Sequence, residues 1–579
     1  MSPNLAAKRK DRLAKEIGTV RKAWGLDTSS IALVYPNTYS VAMSNLGFQL
    51  VYRLLNERDD VLCERAFLPD REERPQFERS GRRLTSLESD RPLTDFDIIA
   101  FSVPFENDFP HILEILFRSK IPLKSADRGE EDPLIIAGGV TSHLNPEPVA
   151  DFIDLFAVGE GEVIIAPFME AFKKSRELPR RKRLKSLSQI KSIYVPSLYD
   201  VVYHDDGRVL AYKASAGVPE RVSRAWLEEE ALQVSRGGSS VLTEDTEFGD
   251  MYLVEVGRGC GRGCRFCAAG FINLPPRERK TDRLASEFEE GIAEGKRIGL
   301  ISPSLADHPD IEGICRAIHE SGGRSSLSAV RADALEEGYL SHIKKGKLKT
   351  VTIAPEAGTE RMREVINKGL SDADILNAVA LLGKVGIPNI RFYFMIGLPT
   401  EEAADIDGII DITIRCRNRF IEESKVHKKV GNITLSVNCF VPKPFTPFQW
   451  RPMEDEKILK EKLRQIKKAL GREPNIKMIS DLPRWAHIQG LLSRGDRRLS
   501  DLLLEVHKNE GNWKKAIRDT GIDPAFYTAR ARCREELFPW DVLDIGLKKD
   551  YLWKEYERGL AGKVTPPCNI GACVRCGVC

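Results

Sequence analysis

Short apolar runs alternate with amphipathic stretches over the first third of the chain, and this alternation predicts strands followed by helices. Residues 31–35 form the first buried run, and Leu46, Leu50, Val51 and Leu54 then recur at helical spacing. Three further apolar runs predict strands at residues 96–103, 134–137 and 155–158. Because strands that alternate with helices pair in parallel, we expect the chain to begin with a Rossmann-like, flavodoxin-type α/β sheet domain.

The same alternation returns near residue 251 and continues to about residue 441. Strands are predicted at residues 252–256, 298–301, 327–330, 351–354, 390–396 and 433–441, with the last one ending the series. Ile375, Val379 and Leu382 mark one of the amphipathic helices between them. Beyond Met453 the composition becomes helical and basic. The second half of the chain is therefore predicted to be another α/β unit followed by a mainly helical region.

Length and composition describe an ordinary soluble protein of several domains. The 579 residues suffice for roughly three or four domains, and 42% hydrophobic and 30% charged residues lie in the usual range. A net charge of +3 favours no particular partner. No apolar run approaches the roughly 18 residues of a spanning helix, and the first 25 residues lack a hydrophobic signal region. We therefore expect a cytoplasmic protein without membrane association.

Seven of the twelve cysteines fall in two tight clusters, a pattern that in a reducing compartment indicates metal binding. Cys260, Cys264 and Cys267 form the first cluster and follow directly on the strand predicted at residues 252–256. Iron–sulfur clusters usually take four thiolates, so three thiolates leave one iron open to a small chelating ligand. The alternatives are a zinc site, for which a fourth ligand is not close in sequence, and three ordinary buried thiols. The five scattered cysteines are expected to be small core residues: Cys63, Cys315, Cys416, Cys439 and Cys533.

The cysteine spacing resembles the signature loop of radical S-adenosylmethionine (SAM) enzymes. In those loops an aromatic residue precedes the third cysteine, as Phe266 precedes Cys267 here. The resemblance implies a 4Fe-4S cluster on Cys260, Cys264 and Cys267 with SAM on the open iron, and an electron donor such as a flavodoxin or ferredoxin. Reduction of SAM would release methionine and a 5'-deoxyadenosyl radical that abstracts hydrogen from the substrate. The resemblance also implies that residues 251–480 form a partial (β/α)6 TIM-type barrel.

Further residues at the rim of this barrel are implied to contact SAM. Ser302 and Ser304 follow the strand at residues 298–301, where the family often carries Gly-Gly-Glu, and their backbone would hold the amino group. Glu356 begins a segment similar to the ribose-contacting one, since a carboxylate can accept from two hydroxyls. Its alternative role is that of a carboxylate favoured by a helix N-terminus, and both roles can hold at once. The remaining positions end neighbouring strands, the last two in a loose match to the adenine-side motif: Arg331, Met395 and Gly397.

The first domain resembles the cobalamin-binding domains that precede many radical SAM barrels. The resemblance includes the Gly138-Gly139 turn and the turn at residues 159–162, which follow two of the predicted strands. A histidine that would ligate cobalt is expected in the loop after the first strand, and residues 36–47 contain none. The alternatives are therefore a domain that keeps the fold without the corrinoid, and cobalamin bound without a protein ligand to cobalt.

The chain ends in a second cysteine array, Cys568, Cys573, Cys576 and Cys579. Four thiolates so close together predict a metal centre, and both an auxiliary iron–sulfur cluster and zinc satisfy the ligand count. The dense spacing and the neighbouring glycines favour the cluster. We expect this centre to be independent of the first.

The resemblance covers residues 29–579, nearly the whole chain, and it is to an uncharacterised radical SAM family with an N-terminal cobalamin-binding-like domain and a C-terminal cysteine cluster. It implies an enzyme that methylates an unidentified substrate. The alternatives are methylthiotransferase-like modification of RNA or protein, with a ribosomal component as one acceptor, and a non-catalytic iron–sulfur scaffold.

We divide the chain into a basic N-terminal helix (1–25), a cobalamin-binding-like α/β domain (26–190), a linker with a hairpin (191–250), the radical SAM core barrel (251–480), a helical region (481–565) and a four-cysteine metal-binding tail (566–579).

Overall fold

Two sets of parallel strands carry helices between them, so the protein is α/β as predicted. The computed structural model describes residues 3–25, 27–327, 330–335, 340, 348–428 and 430–578, with side chains from residue 7 onward. Cys579 and residues 328–329 of the strand predicted at 327–330 lie outside the described residues. Within the described part of the chain, no helix combines the length and the apolar character needed to cross a membrane.

The first set is a six-stranded sheet in the order β2-β1-β3-β4-β5-β6. Strands β1 to β5 are parallel, and β6 runs antiparallel to β5. The strands are β1 Ser29–Thr38, β2 Val61–Leu68, β3 Ile98–Ser102, β4 Leu134–Gly138, β5 Leu155–Ala157 and β6 Ile193–Tyr194. The helices of this region are Tyr39–Met43, Leu46–Asn56, Arg74–Ser80, Phe109–Arg118, Val140–Leu144, Gly161–Ser175 and Arg180–Leu187.

Strand β2 is not predicted by the sequence pattern, because Glu64 and Arg65 interrupt its apolar run. Arg65 is fully buried, and its guanidinium lies 2.6 Å from Glu16 and 2.7 Å from Glu88. A buried charge is tolerated when it is paired in this way. Glu16 directly follows the N-terminal helix, Pro3–Lys15, so the basic first segment is anchored to the sheet.

Short pairings connect the two sets of strands. The predicted hairpin is formed by β7 Tyr199–Tyr203 and β8 Val209–Ala214. Strand β9 Val222–Ser223 pairs in parallel with β19 Leu543–Asp544 near the C-terminus. The segment between the sheets therefore also contacts the last helical region.

The second set has seven strands in two sheets, ordered β10-β13-β14 and β15-β16-β17-β18. A parallel bridge between Val330 and Ile353 continues the order from one sheet to the other. The strands are β10 Met251–Glu255, β13 Arg297–Ile301, β14 Ser325–Leu327, β15 Thr350–Glu356, β16 Asn389–Ile396, β17 Asn432–Cys439 and β18 Ile476–Ser480. A separate two-stranded pair, β11 Gly257–Arg258 and β12 Arg277–Glu278, lies between β10 and β13 in the chain.

Two expectations about this half of the chain are wrong. The strand predicted at residues 433–441 does not end the series, because β18 pairs with β17 in parallel. Strand β18 is a largely exposed edge strand, so it lacks the buried apolar run that marks the others. Among the scattered cysteines, Cys533 is exposed rather than a core residue.

Helices surround these strands and fill the C-terminal region. Between the strands lie Glu229–Val234, Ala269–Ile272, Thr281–Ala293, Ile311–Glu320, Glu360–Val365, Asp372–Val385 and Ala403–Ser424. Towards the C-terminus follow Glu456–Leu470, Pro483–Arg494, Leu499–Lys508, Trp513–Thr520, Pro524–Thr528 and Lys549–Leu560. The last of these helices leads directly into the cysteine tail.

Candidate active site

The three clustered cysteines lie on the loop between β11 and β12. These two short strands pair antiparallel at residues 257–258 and 277–278, and we call this pair the neck of the loop. Gly259 has a φ of +84°. A Cβ at this position would stand 2.3 Å from the carbonyl oxygen of Asn273. The turn just before Cys260 therefore requires glycine.

Cys264 and Cys267 are held within the loop by its own backbone. The Cys267 amide donates to the Cys264 carbonyl at 3.0 Å, and the Gly270 amide donates to the Cys267 carbonyl at 3.2 Å. Burial raises the pKa of Cys264, and burial together with the adjacent Cys264 thiol raises the pKa of Cys267 to about 12. Such thiols bind a metal by releasing their protons, because a thiolate is the ligating form.

The donor set of the loop fits an iron–sulfur cluster. Among the described residues, no three His, Cys, Asp or Glu side chains are grouped as the ligands of a single metal ion would be. The thiolates around a cubane each bind a different iron, so they enclose a volume and do not meet at one point. Three sulfur donors on a glycine-rich loop match that requirement in number and in chemistry.

Arg265, a residue of the cysteine loop, and Asn367, a residue outside it, hold the loop in place. The Arg265 side chain is fully buried and donates to the carbonyls of Val365 at 2.9 Å and Lys563 at 2.6 Å. The Asn367 amide donates to the carbonyl of Gly263 at 3.1 Å. These contacts join the cysteine loop to the region of the helix at residues 360–365 and to the C-terminal tail, so the position of the loop depends on both.

Charged side chains from two strand ends meet beside Cys264. Glu356 lies 3.3 Å from Lys368, and Arg331 donates to the Lys368 carbonyl at 2.9 Å. Lys368, Arg331 and Glu356 are among the charges that act on the Cys264 thiol. Glu356 has a φ of +70°, a strained conformation for a residue with a Cβ, and such strain is concentrated at functional sites. The structure thus brings the predicted Arg331 and Glu356 to the cysteine loop.

The other predicted SAM contacts are divided between two places. Phe266 and Met395 pack on one apolar cluster, which also includes Leu398 and Phe440. Gly397 lies in a tight turn nearby, and its amide already donates to Glu401 at 2.9 Å.

Ser302 and Ser304 lie at the neck of the loop. A Cβ on Gly257 would stand 3.3 Å from the Ser302 hydroxyl, which places Ser302 at the neck. The Ser304 amide donates to the same hydroxyl at 3.3 Å. The two serines therefore form a turn at the end of β13, next to the base of the cysteine loop.

The C-terminal tail packs directly on the cysteine loop. The Cys568 amide donates to the Gly261 carbonyl at 2.7 Å. The Thr565 amide donates to the Asn367 side chain at 2.8 Å. A small cavity at this junction is lined by cysteines of both arrays: Cys260, Cys568, Cys573 and Cys576. The fourth predicted tail ligand, Cys579, lies outside the described residues.

The turn at residues 159–162 of the first sheet is bonded to the neck of the loop. Arg258 lies 2.6 Å from Glu160 and 2.9 Å from Glu162. Arg277 lies 2.8 Å from Glu160. Burial alone would raise the pKa of Glu160, but the hydrogen bonds and charges of Arg277 and Arg258 outweigh it and lower the pKa to about 2. The carboxyl edge of the first sheet therefore faces the cysteine loop.

A second contact of the same kind lies further along this edge. Glu106 follows β3, and Lys443 follows β17. The Lys443 ammonium lies 2.6 Å from the Glu106 carboxylate. Gln489 donates to the other oxygen of Glu106 at 3.2 Å. The two sets of strands thus direct their loops towards each other.

An apolar cavity of about 130 Å³ lies inside the first α/β unit. Its walls come from the sheet and from the helices Leu46–Asn56 and Gly161–Ser175, with Ala100, Gly138 and Ala157 among the small lining residues. Gly139 and Gly159, from the turns after β4 and β5, complete one end. The lining therefore includes residues at the carboxyl edge of the sheet, the edge that faces the cysteine loop.

Several residues of the site are not predicted by the sequence. Asn367 and Lys368 follow the helix Glu360–Val365, and tertiary packing brings them to the loop. Arg265 stands inside the motif without a chemical role of its own. A positive φ at Asn367, +55°, follows from a turn that sequence spacing alone does not locate. The pairing of Glu160 with Arg277 joins residues 117 positions apart. Such contacts depend on tertiary packing, so no local pattern signals them.

Comparison with protein families gives two matches. The model of the radical SAM superfamily matches residues 254–412, which include the cysteine loop. The model of radical SAM proteins, N-terminal region, matches residues 47–196, within the part of the chain that forms the first sheet.

Individual relatives extend this similarity over most of the chain. An uncharacterized protein of Methanocaldococcus jannaschii is 30% identical over 498 residues, covering 84% of this chain and 94% of the relative. An uncharacterized methyltransferase of Pyrococcus horikoshii is 24% identical over 349 residues, covering 55% of this chain and 66% of the relative. The solved structure of the cobalamin-dependent SAM radical enzyme OxsB, with aqua-cobalamin and SAM bound, is 15% identical with a TM-score of 0.44. The match covers 67% of this chain and 52% of that one, so the chain spans about half its length.

Proposed function

Because the chain belongs to the radical SAM superfamily and is therefore an enzyme, we propose that Cys260, Cys264 and Cys267 hold a 4Fe-4S cluster with SAM as its additional ligand. The observation that carries this proposal is geometric: Arg331 and Glu356 both contact Lys368, and the adjacent Asn367 donates to the Gly263 carbonyl within the cysteine loop. When bound and reduced, the cluster supplies the electron that cleaves SAM to methionine and a 5'-deoxyadenosyl radical. Enzymes of this kind also need an external reductant.

The chain's own residues provide complementary contacts for SAM on two sides of the loop. Glu356 presents carboxylate oxygens to hydroxyl donors such as those of a ribose. The cluster that contains Phe266 and Met395 offers an apolar surface suited to a purine face. Ser302 and Ser304 offer backbone groups at the neck for the amino group. The seven strands of the second set would form the partial barrel around these residues.

We further propose that the reaction is methylation of an unidentified substrate, with cobalamin as the methyl carrier. Three observations support it: the apolar cavity of about 130 Å³, the ion pairs that turn the edge of the first sheet towards the loop, and a relative described as a methyltransferase. Bound cobalamin would supply a transferable methyl group. Gly138, Gly139 and Gly159 would border the group that enters the cavity.

Methylthiotransferase-like modification of RNA or protein is the second candidate, and the tail favours it. Cysteines of the second array share a cavity with Cys260, so a second cluster near the first could take part in sulfur insertion. The two candidates differ in product: a methyl group or a methylthio group replaces hydrogen. Mass spectrometry of RNA and ribosomal proteins from cells with and without this chain distinguishes the two products. If neither the RNA nor the ribosomal proteins carry a modification that depends on this chain, both are removed as acceptors.

Substitution of Cys264 tests the proposed chemistry. The purified chain, reconstituted anaerobically with iron and sulfide and then reduced, is expected to convert SAM to methionine and 5'-deoxyadenosine. Cys264→Ala should lose this conversion, because two thiolates do not retain the cluster. Cys533→Ala is the control, since Cys533 is exposed and lies outside both arrays. If Cys264→Ala cleaves SAM as the unchanged chain does, the proposed function is wrong.

A further inference from the structure

The geometry points to a role for the C-terminal array that rests on the proposed function: we infer that the array holds an iron–sulfur cluster through which electrons reach the Cys260 loop. The partner is a small, acidic, one-electron donor protein that docks on the outer face of the tail. The described ligands are Cys568, Cys573 and Cys576, and the sequence supplies Cys579 as the fourth thiol.

Hydrogen bonds on both sides fix the tail against the loop. On the loop side, the Cys568 amide donates to Gly261 at 2.7 Å, and Cβ of a residue replacing Gly261 would stand 3.2 Å from Cys568 Cβ. On the helix side, the Lys548 amide donates to the Cys576 carbonyl at 2.9 Å. Backbone contacts at both ends mean that a cofactor in the tail has a fixed position relative to the first cysteine loop.

The cysteines of the tail are arranged between the loop and the solvent. Cys576 is 5% exposed and lines the cavity together with Cys260. Cys573 lies further out, and its sulfur accepts a hydrogen bond from Arg575 at 3.1 Å. A cluster on these sulfurs would therefore have one side towards the first cluster and another towards the surface. A hydrogen bond to a ligating sulfur is one of the means by which proteins set cluster potentials.

The outer face of the tail has the features of a docking surface for such a donor. Three apolar side chains stand out from it, Val564 at 51% exposure, Ile570 at 53% and Val574 at 74%. The exposed cations Arg575 and Lys563 lie among them in the chain. Weak redox complexes use small interfaces, and complementary charge speeds their formation. Exposed apolar side chains together with two exposed cations fit an acidic donor protein.

The redox step transfers one electron and no atoms. The donor protein is oxidised by one electron as the tail cluster is reduced, and the tail cluster returns to its oxidised state when the electron passes to the cluster at Cys260. Neither transfer makes or breaks a bond. Each SAM cleavage therefore consumes one electron from the donor.

Metal content and spectroscopy of a tail variant test the site. In the full chain, Cys573→Ser/Cys576→Ser should halve the iron, from about eight to about four atoms per chain, as expected for loss of one of two [4Fe–4S] clusters. The reduced full chain should show an electron paramagnetic resonance (EPR) spectrum broadened by interaction of two nearby clusters. The variant should show the narrower spectrum of one cluster. Cys533→Ser, the matched control, should resemble the unchanged chain in both measurements.

Electron transfer is tested by supplying SAM cleavage with either of two reductants. With reduced flavodoxin or ferredoxin as donor, Cys573→Ser/Cys576→Ser should lose SAM cleavage. Dithionite is small enough to reach the first cluster, so it should support SAM cleavage by both the unchanged chain and this variant. Ile570→Asp/Val574→Asp keeps all cysteines, so it should retain full iron and lose rate selectively with the protein donor.

Three results would overturn the inference. They are a full iron content in the cysteine variant, one zinc in place of the lost iron, and equal cleavage rates with the protein donor in all variants. The proposed function is tested separately, by loss of the first cluster in Cys264→Ala. Failure of the role inferred for the tail is therefore distinguishable from failure of the proposed function.

Discussion

At the scale of single residues, Glu160 shows how one carboxylate links the two α/β units. It is 9% exposed and paired with both Arg258 and Arg277. Its pKa is lowered from 4.5 to about 2, so the ionised form is favoured in the folded protein. A lowered carboxyl pKa contributes stability above the unfolded-state value, and this contribution is lost as the pH falls through the folded-state value.

We expect Glu160→Gln to reduce the free energy of unfolding at neutral pH by at most about 3 kcal/mol. The difference between the variant and the unchanged chain should shrink as the pH falls from about 4.5 towards about 2, because the carboxylate is then protonated in both states. Urea unfolding at several pH values measures this difference in the free energy of unfolding. Glu535→Gln, at an exposed position, is the control. A pH-independent difference would show that Glu160 acts through packing.

The proposed role of Glu356 in SAM binding can be tested by a single substitution. We expect Glu356→Gln to weaken SAM binding about tenfold, or ~1.4 kcal/mol, because a charged acceptor is replaced by a neutral one. Equilibrium dialysis with the reconstituted chain measures the affinity. Glu364→Gln, on the exposed side of the next helix, should bind SAM normally. Equal affinities of all three proteins would remove Glu356 from the site.

At the scale of elements, the cysteine loop, the helix Lys549–Leu560 and the tail are held together by one buried ion pair. Arg265 lies 3.1 Å from Glu555, and neither side chain is more than 6% exposed. The Glu555 carboxylate also accepts from the Thr565 hydroxyl at 2.8 Å. The tail is therefore an integral part of the loop's surroundings.

Arg265→Leu is expected to destabilise the protein by about 3–5 kcal/mol, because it leaves Glu555 buried without its partner. Thermal unfolding and iron retention should both decline. The double variant Arg265→Leu/Glu555→Leu should recover part of the loss, since no uncompensated charge remains. Arg297→Leu breaks an exposed pair and should cost no more than about 1 kcal/mol. A larger loss in the double variant than in Arg265→Leu would contradict this account.

Much of the element order follows from the sequence, and the exceptions have physical causes. Apolar runs locate β1, β3 and β4, because parallel strands covered on both faces need largely continuous apolar residues. The same rule misses β2, whose Arg65 is paired in the interior, and β18, whose position at the edge leaves it exposed. Spacing identifies the cysteine loop, since its ligands are close in sequence. The packing of the tail on that loop is a contact between distant segments, which no periodicity encodes.

At the scale of the whole molecule, the carboxyl edge of the first sheet and the loops of the second set of strands face each other. Ion pairs at Glu160 and at Glu106 hold the two units in this orientation. The apolar cavity reaches the same edge, since Gly138 and Gly159 are among its lining residues. The proposed cobalamin would thus lie between the first sheet and the cysteine loop.

Filling the cavity tests whether it receives cobalamin. We expect the unchanged chain, purified with corrinoid supplied, to contain about one cobalt per chain, and Ala157→Phe to contain none while keeping its iron. Metal analysis and absorption spectra measure the cobalt and iron contents of the two proteins. Ala211→Leu, in the hairpin outside the cavity, should load as the unchanged chain does. Absence of cobalt from the unchanged chain under every loading condition would remove the cobalamin-dependent methylation.

The central claim, a cluster at Cys260, Cys264 and Cys267 with an open iron for SAM, is tested most directly by EPR of the anaerobically reduced chain before and after SAM is added. To isolate that cluster, the measurement uses the Cys573→Ser/Cys576→Ser variant. The account predicts a reduced-cluster signal whose shape changes on addition of SAM, because SAM ligates the open iron. A cluster signal that saturating SAM leaves unchanged would contradict it.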